Sequence, residues 1–257
     1  MVSKSQRQFV RSLSQRKNRH DAGLFVAEGA RIVQDLIRSS SEIKTIFGTS
    51  DWLAKNRSTI PSSVEVHQID ERELERLSEL QSPYGALALV AMRQTTFDIQ
   101  AIRGKLILGL EDIQDPGNLG AIIRLCDWFG IEHILANAST VDCYNAKVVQ
   151  ATTGSIARVN VYYRVDFAEL VSQIAKADKR VYATTLEGEN IYQANLERDA
   201  LVLFGNEGNG LSADILKSCT HRLRIPSFNS GSFGAESLNV ATAASIVCSE
   251  FCRRSEG

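Results

Sequence analysis

The second half of the chain alternates short apolar runs with amphipathic segments, and this alternation leaves few folds open. KLILGLE, EHILAN, RVNVYY, VYATTL, ALVLFG and HRLRIP read as strands, with KLILGLE and ALVLFG apolar enough to be buried. NLGAIIRLCDWFG, AKVVQAT, DFAELVSQIAKA, SADILKS and the terminal SLNVATAASIVCSEFCRR read as helices between and after them. Strands alternating with helices imply a parallel sheet covered on both faces. Ligands of such sheets sit beyond the carboxyl ends of the strands. Attention therefore goes to three loops, at 112–120, 205–212 and 226–239.

From Leu24 to about Met92 the pattern is shorter and mixed. FVAEGARIVQDLIRSS reads as a strand end and an amphipathic helix, with Ile32, Val33, Leu36 and Ile37 at helical spacing. IKTIFGTS and SVEVHQID are strands, ERELERLSEL a short charged helix, and ALALVAM a last strand entered from the turn SPYG. The expected fold is α/β: a small module over 1–93, a linker over 94–104, and the parallel-sheet domain over 105–257. The module is too small for an elaborate active site and is suited to holding a ligand.

Composition narrows the chemistry. Hydrophobic residues make up 44% and charged residues 23%, as in an ordinary globular protein. No stretch reaches the length of a membrane span, and the N-terminus lacks the apolar core of a signal peptide, so the chain is placed in the cytoplasm. The five cysteines are dispersed without a Cys-x-x-Cys pair, which argues against a disulfide framework. Cys248 and Cys252 lie one helical turn apart with no further ligand nearby, and the four histidines stand apart, so no metal site is expected. The net charge of −1 hides an asymmetry. Lys4, Arg7, Arg11, Arg16, Lys17 and Arg19 crowd the first 20 residues with no acid among them. Such an arm suits a phosphate backbone, where it releases counterions; a solvated, frayed terminus is the alternative.

In the first loop, Asp115-Pro116-Gly117-Asn118 has Pro and Gly at the central positions of a type II turn, with Asn118 expected to cap the next helix. Gly120, Arg124 and Asp127 share one helical face. Helical side chains tilt toward the N-terminus, so Arg124 can lie back over Gly120 toward Asn118; a surface pair of Arg124 with Asp127 is the alternative. In the second loop a strand ends at Gly205, and Gly208 and Gly210 precede an expected cap at Ser212. Such a turn lets backbone approach a ligand. It is neither a P-loop nor the dinucleotide fingerprint, and no early glycine turn supports a Rossmann-type oxidoreductase. In the third loop the strand stops at Pro226 and a helix is expected to open at Ser237, with Asn239 nearby. The small residues Ala241, Ala243, Ala244 and Ser245 permit close approach by the core or by another subunit.

Taken in order, N-x-G-x-x-x-R, G-N-E-G-x-G-L and I-P…E-S-L-N-V-A-x-A-A resemble the three motifs of the SpoU/TrmH RNA ribose methyltransferases of the SPOUT superfamily. The resemblance spans residues 105–254, and VDCYNAKVVQATTGSIARV fits it as well. The N-terminal module, with LFVAEGARIV and SPYGALALV, resembles the substrate-binding domain often joined to that catalytic domain. The resemblance implies a trefoil knot in the C-terminal domain and S-adenosylmethionine as methyl donor. Thr184, Gly205, Gly210, Ile225 and Leu238 fall on its cofactor positions. Asn118, Arg124, Glu207, Ser237 and Asn239 fall on its active-site positions, for transfer of a methyl group to a ribose 2′-hydroxyl. Arg7, Arg11, Arg16, Lys17 and Arg19 would contact RNA. Ribosomal RNA is the first substrate expected and transfer RNA the second; a catalytically inactive RNA-binding protein on the same fold is the alternative reading. Two departures stand out: a long loop between Pro226 and Glu236, and Gln150 where relatives commonly carry a base. A homodimer through the terminal helix is expected. Its Ala241, Ala244, Cys248 and Phe251 form one apolar stripe and Val240, Ala243 and Val247 an adjacent one.

Overall fold

The computed structural model of the 257-residue chain describes residues 2–39, 41–94, 96–229 and 236–255. Along the chain run α1 (Lys4–Ser12), α2 (Arg16–Ala22), β1 (Leu24–Glu28), α3 (Ala30–Arg38), β2 (Ile43–Thr49), α4 (Ser50–Asn56), β3 (Glu65–Ile69), α5 (Glu71–Leu77) and β4 (Ala86–Ala91). There follow β5 (Leu106–Leu110), α6 (Pro116–Trp128), β6 (His133–Asn137), α7 (Ala146–Thr152), β7 (Asn160–Arg164), α8 (Phe167–Lys176), β8 (Arg180–Asn190), β9 (Ala200–Phe204), α9 (Ala213–Ser218), β10 (His221–Arg224) and α10 (Val240–Ser255). They form two compact units, residues 1–94 with 142–158 and residues 95–141 with 159–257. The segment around α7 thus folds with the N-terminal residues, although it lies within the 105–257 stretch that carries the motifs.

The first unit is built on a four-stranded sheet in the order β1-β4-β2-β3, antiparallel except for the β2–β3 pair. Phe47, Leu74, Leu77 and Leu87 form its core together with Val2, Val10 and Leu13. The basic terminus is therefore a folded part of the unit. A reciprocal capping box between Ser3 and Gln6 opens α1, and Gly23, in the left-handed region at φ +65°, closes α2.

This folding sorts the basic residues and corrects one assignment. Arg19 is 2% exposed and cannot reach RNA. Its Nη2 lies 2.7 Å from Asp142 Oδ2, and its Nη1 donates to the carbonyls of Leu13 and Ser14. A buried guanidinium needs both a counter-charge and filled donors, and here it has them. Arg7 is half-buried, with Nε 3.0 Å from Glu73 Oε1. Arg11, Arg16 and Lys17 stay exposed. Farther on, α7 packs against β1, and the Tyr144 ring lies 4.7 Å from that of Phe25. The Tyr144 hydroxyl accepts the Arg93 N–H, and burial pushes its phenol well above the usual range.

The second unit is a six-stranded sheet in the order β10-β8-β9-β5-β6-β7, with every pair parallel, as the alternation of strands and helices predicts. β5 and β9 are buried along their whole length, which explains their uninterrupted apolar sequences. The chain leaves β5 through α6 toward β6 on one side, and leaves β9 through α9 toward β10 on the other. The strand order therefore reverses between β5 and β9.

Helix α10 packs on α6. Val240, Ala241, Ala244, Val247, Cys248 and Phe251 are all buried in the chain's own core. Most of both apolar stripes predicted on this helix is thus satisfied without a partner, and the two-face argument for a dimer falls away. The far end is held by Arg254, which donates to the carbonyls of Ala194 and Tyr192 at 2.5 and 2.6 Å. Arg253 and Arg254 both bond Glu250 and hold its carboxyl down at about 2. The thiols of Cys126 and Cys248 are pushed up by burial and stay protonated. No helix among the described residues is long and apolar enough to cross a membrane.

Removing one partner of the buried Arg19–Asp142 pair leaves an uncompensated charge. Arg19→Met is expected to lower stability by about 3–5 kcal/mol in urea titrations. Adding Asp142→Leu should recover most of the loss; no recovery in the double variant would show that Arg19 acts through its carbonyl contacts instead.

Candidate active site

The loop after β5 does not form the expected turn. Asp115 is the helix N-cap, its Oδ1 accepting the Asn118 N–H at 2.8 Å, and Pro116 takes the first helical position. Proline suits that position because its missing N–H has no intrahelical role there, while Asp is a strong cap. Asn118 is consequently the third helical residue rather than the cap. Its side chain is left available, and its Nδ2 donates to Glu207 Oε1.

The loop after β9 is folded by its own backbone and by Asn206. A Cβ on Gly205 would stand 2.2 Å from the carbonyl carbon of Gly210, so only glycine permits this crossing. Gly210, at φ +67°, donates its N–H to the Asn206 carbonyl at 2.8 Å. Asn206 Oδ1 accepts the N–H groups of Gly208 and Asn209, and its Nδ2 donates to the Asp112 carbonyl at 3.0 Å. Glu111 Oε2 accepts the Ser212 N–H at 2.7 Å. Both bonds tie the second loop to the first. Asp112 has φ +57° and is held there by Asn137, which accepts its N–H and donates to its carboxylate. Asn206 lies inside the motif and could have been singled out as an amide among glycines. Asn137 carries no sequence signal, because its partner lies on a different strand's loop.

The third loop also starts its helix later than predicted. Asn239, not Ser237, opens α10, with Oδ1 accepting the N–H groups of Ala241 at 3.0 Å and Thr242 at 3.2 Å. The Nδ2 of the same side chain donates to Asn118 Oδ1 at 2.8 Å and to Glu207 Oε1 at 3.2 Å. Asn118, Glu207 and Asn239 therefore meet in one hydrogen-bonded junction beyond the carboxyl ends of the sheet. Residues 230–235 of the long loop lie outside the described residues.

The other predicted positions are placed as follows. Arg124 is exposed on α6 and has no hydrogen-bond or ion-pair partner among the described residues; it is tied neither to Asn118 nor to Asp127. Ser237 is exposed and does not join the junction. Ile225 is half-buried, and Leu238 is 45% exposed. The Thr184 hydroxyl donates to the Leu203 carbonyl at 2.8 Å, so its proton is already used. The region thus offers an amide-bound carboxylate, an unpaired cation, glycine backbone, and apolar surface at Ile225 and Leu238.

In all-parallel α/β sheets ligands bind beyond the carboxyl ends of the strands where the strand order reverses, and the three polar loops meet beyond those ends here. The sequence model of the SpoU rRNA Methylase family matches residues 105–249, more than half of the chain, and the chain belongs to that family. An MRM3-like substrate binding domain matches residues 5–88. A TrmH-family protein from Porphyromonas gingivalis has a similar structure, with TM-score 0.90 and 32% identity over 99% of each chain. An AdoMet-bound rRNA methyltransferase from Sinorhizobium meliloti has TM-score 0.85 and 25% identity, over 99% of this chain and 97% of that one. The 23S rRNA (guanosine(2553)-2′-O)-methyltransferase RlmP of Bacillus subtilis is 28% identical over 92% of each chain.

Asn206→Ala should free the Gly208 and Asn209 amides. Their hydrogen exchange is expected to speed up by about tenfold, corresponding to roughly 1.4 kcal/mol for a lost bond, while exchange in β5 and β9 stays at wild-type rates. Unchanged exchange at Gly208 would show that the glycine backbone folds without this side chain.

Proposed function

We propose that the protein is an S-adenosylmethionine-dependent methyltransferase acting on a ribose 2′-hydroxyl of RNA, with ribosomal RNA as substrate. The observation that carries this reading is the junction of Asn118, Glu207 and Asn239, contributed by all three motifs at the switch point. Family membership and the ribosomal RNA enzymes among its relatives support it.

The residues present suit the donor. Gly205, Gly208 and Gly210 carry no side chain to keep a ligand from the backbone of this turn, and Ile225 and Leu238 offer apolar surface for a nucleoside. When bound, S-adenosylmethionine supplies a methyl group activated by its sulfonium. Asn118, Glu207 and Asn239 hold the motif loops in register and orient the ribose. Such positioning can contribute roughly 7–11 kcal/mol toward a near-attack geometry. The role of Arg124 is electrostatic: its guanidinium holds the RNA phosphate and stabilises charge developing on the 2′-oxygen. Ser237 completes the ribose contacts.

Three further features belong to the same reading. A trefoil knot is supported by membership of the SpoU family; in the structure β8 leaves register with β10 beyond Ala183 and rejoins it at Glu189. A Cβ on Gly188 would stand 2.8 Å from the Arg222 carbonyl oxygen, so the two stretches of backbone pass in close contact. RNA affinity is supported by the exposed Arg11, Arg16 and Lys17, and the enzyme works where ribosomal RNA is found, in the cytoplasm. A homodimer is supported by Trp128, 84% exposed at the end of α6, on the helix that packs against α10.

Arg124→Ala is expected to keep donor affinity by calorimetry while methyl transfer to RNA falls at least 100-fold, in line with loss of one charge-stabilising donor. Donor binding lost together with activity would make Arg124 a structural or cofactor residue. For the dimer, light scattering of the wild type should give twice the chain mass, and Trp128→Lys should give a monomer.

A further inference from the structure

Two sequence motifs remain without a role, AEGAR at the end of β1 and SPYG before β4. In the structure they are locked to each other. Glu28, 6% exposed, takes the Ser78 hydroxyl and the Glu79 N–H on its carboxylate, fixing the start of the 78–85 loop. At the other end, Ala30 donates its N–H to the Tyr84 carbonyl at 3.1 Å, and Gly29 donates to the Ala86 carbonyl at 2.8 Å. Thr49 donates to the Gly85 carbonyl at 2.9 Å. Gly85 has φ +82°, and a Cβ there would stand 2.8 Å from Ala30 Cβ and 3.0 Å from Trp52 Cδ1. The backbone at Tyr84 therefore cannot give way.

The side chain held there is not buried. Tyr84 is 71% exposed, while neighbouring Gly85 and Trp52 are buried. A flexible loop could fold such a ring onto the surface; this one holds its base in place. Arg31 follows the residue bonded to the Tyr84 carbonyl. It is exposed and has no hydrogen-bond or ion-pair partner among the described residues. A fixed aromatic face and an unpaired guanidinium, on adjoining backbone segments, are the two groups that take an unpaired nucleotide: the ring stacks the base and the cation meets its phosphate.

We infer that Tyr84 and Arg31 form a binding site for one unpaired nucleotide of RNA, separate in sequence from the methyl-transfer motifs. This rests on the reading of the protein as an enzyme acting on RNA. The site reads no base identity, because every base has a π-face. Its contribution is to anchor a single-stranded stretch of the substrate.

The test uses the full chain and a single-stranded RNA carrying 2-aminopurine, whose fluorescence is quenched on stacking. Tyr84→Ala should weaken RNA binding by about 5- to 150-fold and abolish the quench. Tyr84→Phe should retain both, since stacking needs the ring and not the hydroxyl. Arg31→Gln should reduce the salt slope of binding by about 0.7. The donor affinity and melting temperature of all three should match the wild type, because neither side chain is packed. A wild type that binds no RNA would overturn both readings. A wild type that binds and methylates RNA, with Tyr84→Ala binding equally tightly and quenching equally, would overturn this inference alone and leave the ring to a protein partner.

Discussion

The motif-bearing unit depends on one side chain that faces two ways. Asn239 uses its carbonyl oxygen to start α10 and its amide nitrogen to reach Asn118 and Glu207. Helix start and site geometry therefore cannot vary independently. Each bond of the junction is exposed and contributes only about 0.5–1.5 kcal/mol net. Its importance is geometric, because it joins loops that follow three different strands. Aspartate at 239 would keep the cap and lose the donor, separating the two roles.

Beneath the junction the loops are bound by groups that take no part in it. Asn206 fills the donors of its own glycine turn and reaches back to Asp112, while Glu111 reaches forward to Ser212. The glycines leave backbone exposed, and the amides and carboxylates around them keep it from being floppy. The scaffold thus satisfies its own polar groups and leaves Arg124 without a partner among the described residues. An unpaired exposed cation adds little to stability, so it is free to meet a phosphate.

The N-terminal unit follows the same division. Arg19 is spent on the fold, Arg7 is half spent, and Arg11, Arg16 and Lys17 remain at the surface. Around Tyr84 every backbone restraint is internal, while the ring and the neighbouring arginine face water. In both units the groups read as functional are those the fold positions but does not consume.

The alternation of buried runs and amphipathic segments was enough to establish the parallel α/β unit and the loops that matter, because strand and helix periodicity are local properties of the chain. Asn118 and Asn239 were legible for the same reason, each standing at a strand-to-helix passage, whereas Glu207 was marked only by the family resemblance. Local reading misplaced what depends on distant partners. Asp115 rather than Asn118 caps α6, since the Asn118 amide is needed by a glutamate 89 residues away. Arg19 looked like its basic neighbours until Asp142, 123 residues on, drew it into the core. The stripes of α10 looked like a surface awaiting a partner, and the chain's own core covers most of them. Which polar group is spent inside the protein and which is left for a ligand is decided by tertiary contact, because a charge or an amide carries no local mark of the partner that will neutralise it.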